Sequence, residues 1–313
     1  MAQRTAVTGS EQPLPEVSIL KAGERVPVQE LLQGVIESLK ISGGCLLRNF
    51  ISQETVKELN DDFAPYFDKA KPLKSDFWAK ETRRITGCMG KSDAYALKVV
   101  GNELWQEVGR HFLTSTLHWW LGDEQKYSPS NPQLNNTSVF KIRPGATAQS
   151  LHRDDIICHV HRPAVTSHEK GRDYGIGLFV AGTRSTRRNG ATRFIPGSHL
   201  WDYAERPREE LAVYAELEPG DAFMMLSGCY HAGSANTSLD EERLLYSTFT
   251  GRGWCRQEEN QYLANEVERV KRLPVHLQKF MGWELSLPFM GWVGLDDPIC
   301  LLSGEESEVG GYF

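Results

Sequence analysis

The chain has 313 residues, of which 40% are hydrophobic and 24% charged, and its formal net charge is −6. Those proportions suit a soluble globular protein and allow one large domain with a substantial core. The acidic balance gives no support to a nucleic-acid or anionic-membrane partner, and no apolar run is long enough to span a bilayer.

The opening stretch MAQRTAVTGSEQPLPEV lacks the charged-then-apolar pattern of a secretory leader. Residues 1–27 are polar and carry three prolines, which predicts a mostly unstructured leader. The six cysteines (Cys45, Cys88, Cys158, Cys229, Cys255 and Cys300) are scattered without a CxxC pair. They read as reduced thiols, which implies a cytoplasmic location.

VQELLQGVIESLK places Leu31, Leu32, Val35, Ile36 and Leu39 at helical spacing, and ISGG then stops the helix. CLLRNF reads as a short strand. SQETVKELNDDFAPYF predicts a second helix capped by Ser52. A third helix is expected over NELWQEVGRHFLTSTLHWWLG, ending at Gly122 and carrying Trp119 and Trp120. From about residue 137 the texture changes. SVFKIRPG, QSLHRDDI, YGIGLFVAGT, ATRFIP, VYAELEPGD, AFMMLSG and RLLYSTFTG are short, rich in β-branched and aromatic residues, and separated by turn formers. Helical character returns in EENQYLANEVERVKRL and VHLQKFMGWE, before an acidic tail. The expected organisation is a single domain over 28–302, mainly β with flanking helices: a helical part over 28–125, a β core over 135–255, helices over 256–302, and a tail over 303–313. Helices on both sides of a β core suit a jelly roll.

SLHRDDIICHVH holds three histidines and two aspartates. On a strand, side chains two apart share a face, so His152 and Asp154 project together while Arg153 and Asp155 project away. A histidine from elsewhere would complete the two-histidine, one-carboxylate face of non-haem Fe(II) oxygenases, which leaves positions open for a chelating cosubstrate and dioxygen. Alone, the pair is a weak signal. It is strengthened by EPGDAFMMLSGCYHAGSANTS, where an apolar strand ends at His231 among small residues. Arg243 follows and opens the apolar strand RLLYSTFTG; an arginine in a core is costly unless an anion such as a dicarboxylate pairs with it. RNGATRFIPGSHLW adds a glycine turn, Thr192 on a strand, and a Pro-Gly turn before His199. The competing arrangement is cupin-like, with His152, His159, His161 and His199 as ligands. Against it stand the missing glutamate spacing after HVH and the nearby Pro163. His159 and His161 are expected to face the pocket mouth or solvent, and Asp155 to bond a neighbouring loop.

The four motifs QSLHRDD, NGATRFIPGSHLW, EPGDAFMMLSGCYHAGSANTS and RLLYS occur in the order and approximate spacing of the phytanoyl-CoA dioxygenase-like family, and the chain most resembles its fungal branch that tailors alkaloids and meroterpenoids. The resemblance covers roughly residues 30–255. It implies a double-stranded β-helix core that uses Fe(II), 2-oxoglutarate and O2 to oxidise a C–H bond of a medium-sized, largely apolar natural product, with succinate and CO2 as co-products. It also implies His152, Asp154 and His231 as iron ligands, Arg243 on the distal carboxylate of 2-oxoglutarate, and Gln149 and Thr192 as further contacts to the cosubstrate. Arg243 stands one residue later, counted from His231, than in some members. The carboxylate of Asp154 argues against halogenation, since halogenases on this scaffold have a small residue there. Residues 85–95, with Met89, lie where relatives place a substrate-covering loop. Phe140 is expected in the substrate pocket, Trp201 at its entrance, and His199 in a structural role. An acyl-CoA hydroxylase is the alternative within the same chemistry, although CoA phosphates call for a basic site. The resemblance also allows a homodimer through the C-terminal helices.

Overall fold

Helical spacing of Leu31, Val35, Ile36 and Leu39 produces α1 (Val28–Ser42) with those residues buried, in a computed structural model that describes residues 13–22, 27–71 and 77–304. Gly43 ends the helix at φ 74°, its N–H bonded to Leu39 O. Only glycine suits that position: a Cβ would stand 2.2 Å from Cys229 Sγ and 2.5 Å from His199 Nδ1. The end of α1 is therefore seated directly on the β core. Ahead of it, β1 (Ile19–Lys21) pairs in parallel with β2 (Gly44–Arg48), so part of the expected unstructured leader is a strand; residues 1–12 lie outside the described chain. Helix α2 (Gln53–Phe67) is capped as expected, Ser52 Oγ accepting from Thr55 N.

The third helix is shorter than its periodicity predicts. After β3 (Thr82–Thr86), α3 (Glu103–Leu113) stops before STLHWW, whose β-branched and aromatic residues form β4 (Ser115–Leu121) instead. A tight turn at Gly122, with φ 59°, leads into β5 (Glu124–Ser130). Trp119 accordingly sits on a hairpin and packs on Phe289.

The remaining strands are β6 (Pro132–Ile142), β7 (Gly175–Ala181), β8 (Thr192–Phe194), β9 (Val213–Ala215), β10 (Ala222–Leu226), β11 (His231–Gly233) and β12 (Arg243–Arg252). Seven of the strands form one sheet in the order β1-β2-β10-β7-β12-β6-β3, and β11-β8-β9 forms the smaller sheet opposite it. Together they make the expected jelly-roll core. The C-terminal helices are short: α4 (Gln261–Ala264), α5 (Val267–Val270), α6 (Val275–Phe280) and α7 (Cys300–Ser303). The long helix expected over 258–273 breaks at Asn265, whose Nδ2 donates to Gln261 O and competes with the backbone ladder. No helix among the described residues is long and apolar enough to cross a membrane.

Alternation assigns the two faces of the large sheet. Ile176, Leu178 and Val180 of β7, with Met224 and Tyr246, join the main core beneath α1–α3. Their neighbours Phe179, Phe223, Met225 and Leu245 point inward and pack with Phe194 and Ala215 of the small sheet. The register passes from Phe249↔Asn136 to Thr250↔Leu134, leaving Asn135 as a bulge. That single extra residue puts Asn136, Ser138, Phe140 and Ile142 on the inner face, where the site lies.

Candidate metal centre

His231 opens β11, and its backbone pairs with His152 in an isolated bridge, with N–H to O distances of 3.0 and 2.9 Å. The strand expected over QSLHRDDI is reduced to that bridge. Asp154 instead opens a 3-10 turn (Asp154–Cys158), its N–H donating to Ser227 O at 3.0 Å. The adjacent aspartates favour a turn over continued pairing. His152 and Asp154 thus converge through a bridge followed by a turn, not through strand alternation. The neighbours face away as predicted: the Arg153 guanidinium lies 4.2 and 4.0 Å from the Tyr203 and Tyr230 ring centroids, and Asp155 accepts a bond from the Tyr203 hydroxyl. Burial raises the Asp155 carboxyl above its ordinary range, and that bond offsets part of the shift.

The three groups fit a divalent ion. Their ligating atoms lie within 4.8 Å of one another, with His231 Nε2 3.4 Å from Asp154 Oδ2 and His152 Nε2 3.7 Å from Asp154 Oδ1. Both imidazoles place Nδ1 against a backbone carbonyl, Ser150 O at 2.8 Å and Cys229 O at 3.2 Å. With Nδ1–H donating there, each Nε2 keeps its lone pair toward the carboxylate, as a ligand must. Burial lowers the pKa of His152 and takes that of His231 to about 4, so both are neutral near pH 7. It raises that of Asp154, whose Oδ2 is buried without a hydrogen bond. A cation at this point would compensate the carboxylate without protonating it. This is the facial arrangement typical of non-haem Fe(II) sites.

Arg243 is buried at 1% exposure and borders the same cavity. Its Nη1 donates to Gly190 O (2.6 Å) and its Nη2 to Thr192 Oγ1 (2.9 Å), while Nε has no partner. No carboxylate among the described residues pairs with it. Burial alone depresses its pKa to about 10. Such a cation awaits an anion. Gln149 also borders the cavity; its Oε1 accepts from Gly233 N at 2.8 Å, which leaves Nε2 free.

The cavity measures about 300 Å³ and joins His152, Asp154, His231, Arg243, Thr192 and Gln149. Phe140 lines it as expected. Met89 does not: it is 1% exposed within the main core under the helices, so residues 85–95 form packing rather than a cover. Trp201 is likewise buried in a separate cluster with Ile195 and Tyr230, away from the cavity. The outer wall comes instead from residues that sequence reasoning passed over. The Trp78 ring stacks on Phe140 at 5.0 Å, and Phe77 meets His152 edge-on at 5.0 Å. Ile156 and Ile157, directly after the ligand turn, complete the rim with 61% and 47% exposure. Two adjacent aromatics in the polar stretch SDFWAK, and paired isoleucines between Asp155 and Cys158, were the available signals.

The cupin arrangement fails on position. His159 and His161 are exposed, and His199 is buried with Nε2 against Lys40 O at 3.1 Å, so none of the three reaches His152. Burial brings the His199 pKa down to about 4. Below about pH 6.5 the unfolded chain takes up a proton there that the folded chain refuses until about pH 4, so stability falls with pH across that window. The loss is on the order of 3 kcal/mol. His199→Gln, which keeps a donor for Lys40 O but cannot titrate, is expected to flatten the decline. Urea midpoints of both proteins at pH 7 and pH 4.5 measure the difference, and parallel declines would refute the assignment.

The phytanoyl-CoA dioxygenase (PhyH) family profile matches residues 40–244. Dioxygenase himG of Aspergillus japonicus is 42% identical, covering 85% of this chain and 86% of its own. Dioxygenase cnsJ of Penicillium expansum is 41% identical, covering 85% and 81%. Among solved structures, the epimerase SnoN in complex with Fe3+, alpha ketoglutarate and nogalamycin RO superposes with a TM-score of 0.52 at 14% identity, over 86% of this chain and 94% of that one, which shows a shared fold.

Proposed function

This chain belongs to the phytanoyl-CoA dioxygenase family, and from that premise we propose that it is an Fe(II)- and 2-oxoglutarate-dependent dioxygenase oxidising a C–H bond of a medium-sized, largely apolar small molecule of secondary metabolism. His152, Asp154 and His231 would hold the iron. Arg243 would pair with the distal carboxylate of 2-oxoglutarate, with Thr192 and Gln149 beside it. One observation carries the reading: two imidazoles, a carboxylate and an unpaired buried guanidinium all border one cavity.

Iron held there would, with 2-oxoglutarate and O2, supply the oxidising power, with succinate and CO2 as co-products. The chain's own residues orient and exclude. Thr192 holds Nη2 of Arg243, and Gly190 O holds Nη1, so the guanidinium is fixed before any ligand arrives. Gln149 is tied to Gly233, two residues beyond His231, which couples the cosubstrate pocket to the ligand strand. Phe140, Phe179, Phe249 and Leu245 present an apolar surface to the substrate and keep water from the reacting carbon. Anaerobic titration with Fe(II) and then 2-oxoglutarate tests the assignment. The expected result is a visible metal-to-ligand charge-transfer band that needs both components; its absence would overturn the reading.

A further inference from the structure

Successive inward positions of β6 each hold a charged side chain at the cavity. Asn136 Nδ2 donates to Glu258 Oε2 at 2.5 Å, and two residues on, Ser138 Oγ accepts from Arg84 Nε at 2.8 Å. Both Glu258 and Arg84 line the cavity, and among the described residues neither takes part in an ion pair. The adjacent Glu259 offers a contrast. Its carboxylate accepts from Gly87 N, Thr137 N, Thr137 Oγ1 and Gln261 Nε2, and so staples the loop after β12 to β6. Glu258 has no such structural employment.

Asn136 is 4% exposed, and its Oδ1 has no hydrogen-bond partner. An orphaned buried acceptor costs about 1–3 kcal/mol. Flipping the amide offers no escape, because Oδ1 would then confront the Glu258 carboxylate. The cavity edge therefore carries one open anionic acceptor, Glu258, held in place by a buried amide, among the aromatic rings of Phe140, Phe249 and Trp78. A carboxylate without a cationic partner, set among aromatic faces, calls for N–H donors on a cation.

We propose that Glu258, positioned by Asn136, is the recognition point for a protonated amine on the substrate, whose N–H groups are directed to the Glu258 carboxylate. The inference rests on the cavity being the oxygenase site and narrows its substrate class to nitrogen bases with an apolar body. Aromatic faces beside the carboxylate reinforce the preference for a cation. Arg84, its guanidinium 5.7 and 5.4 Å from the Trp78 and Phe140 centroids, lies one inward step further along the strand and keeps a second cation from that end. The amine is thereby confined to the Glu258 side.

Calorimetry on the chain loaded anaerobically with Fe(II) and 2-oxoglutarate compares 3-phenylpropylamine with its neutral and anionic counterparts, 3-phenylpropan-1-ol and 3-phenylpropanoate. The amine is expected to bind at least about tenfold more tightly than either. Glu258→Gln, at an exposed position, is expected to erase that preference while its charge-transfer band still forms. Equal affinities, no amine binding, a preference for the carboxylate, or an undiminished amine preference in Glu258→Gln would each overturn the proposal. A missing band in the parent chain would instead strike the metal assignment, and the same three-probe comparison on the metal-free chain would still decide the amine site.

Discussion

His231→Ala is expected to abolish iron binding and, with it, 2-oxoglutarate turnover. Removing an outer partner of a ligand typically costs about 10–100-fold in metal affinity or activity, and here one of three protein ligands disappears. The remaining His152 and Asp154 cannot define a face. The fold should survive, because the bridge between residues 152 and 231 is made by backbone atoms. Metal content after desalting and succinate release measure the effect, with circular dichroism as the check on folding. His161→Ala, at a side chain 70% exposed and remote from the cavity, is the matched control and should behave as the parent chain. Retained iron in His231→Ala would end the assignment.

Arg243→Met should separate cosubstrate binding from stability in a way a structural arginine would not. The guanidinium is buried, its Nε is unpartnered, and no carboxylate among the described residues faces it. Replacing it with an apolar side chain of similar length removes an uncompensated buried charge. In the absence of 2-oxoglutarate, the melting temperature is expected to change little, the relieved charge offsetting the donors lost to Gly190 O and Thr192 Oγ1. With the anion's partner gone, the KM for 2-oxoglutarate should rise by about 100-fold or more, matching the roughly 3–5 kcal/mol lost when one member of a buried ion pair is removed. A large drop in stability together with an unchanged KM would show that Arg243 serves the fold instead.

The candidate ligand cluster was legible because it depends on residue type and order. His152 and Asp154 stand two apart, His231 closes an apolar strand, and Arg243 is a charge in an otherwise apolar segment. The local explanation was not. Strand alternation predicts the right pair for the wrong reason, since pairing through Ser227 turns the chain at Asp154. Boundaries set by competition were also hidden: STLHWW continues a helical period yet prefers a hairpin once Gly122 permits the turn. The cavity wall was the least visible part. Met89 and Phe77 are both apolar residues near loops, and only tertiary packing sends one into the core and the other to the rim. Trp201 was misplaced for the same reason, being drawn into contact with Tyr230.

Opposite faces of the large sheet carry different burdens. The helix side holds the main core, while Ile156 and Ile157 stand exposed at the rim, outside every core cluster. Exchanging rim side chains can therefore redirect which molecule is oxidised at small thermodynamic risk. A scaffold partitioned in this way is free to drift between substrates while its iron chemistry stays put, and directed evolution of new selectivities should begin at those two positions.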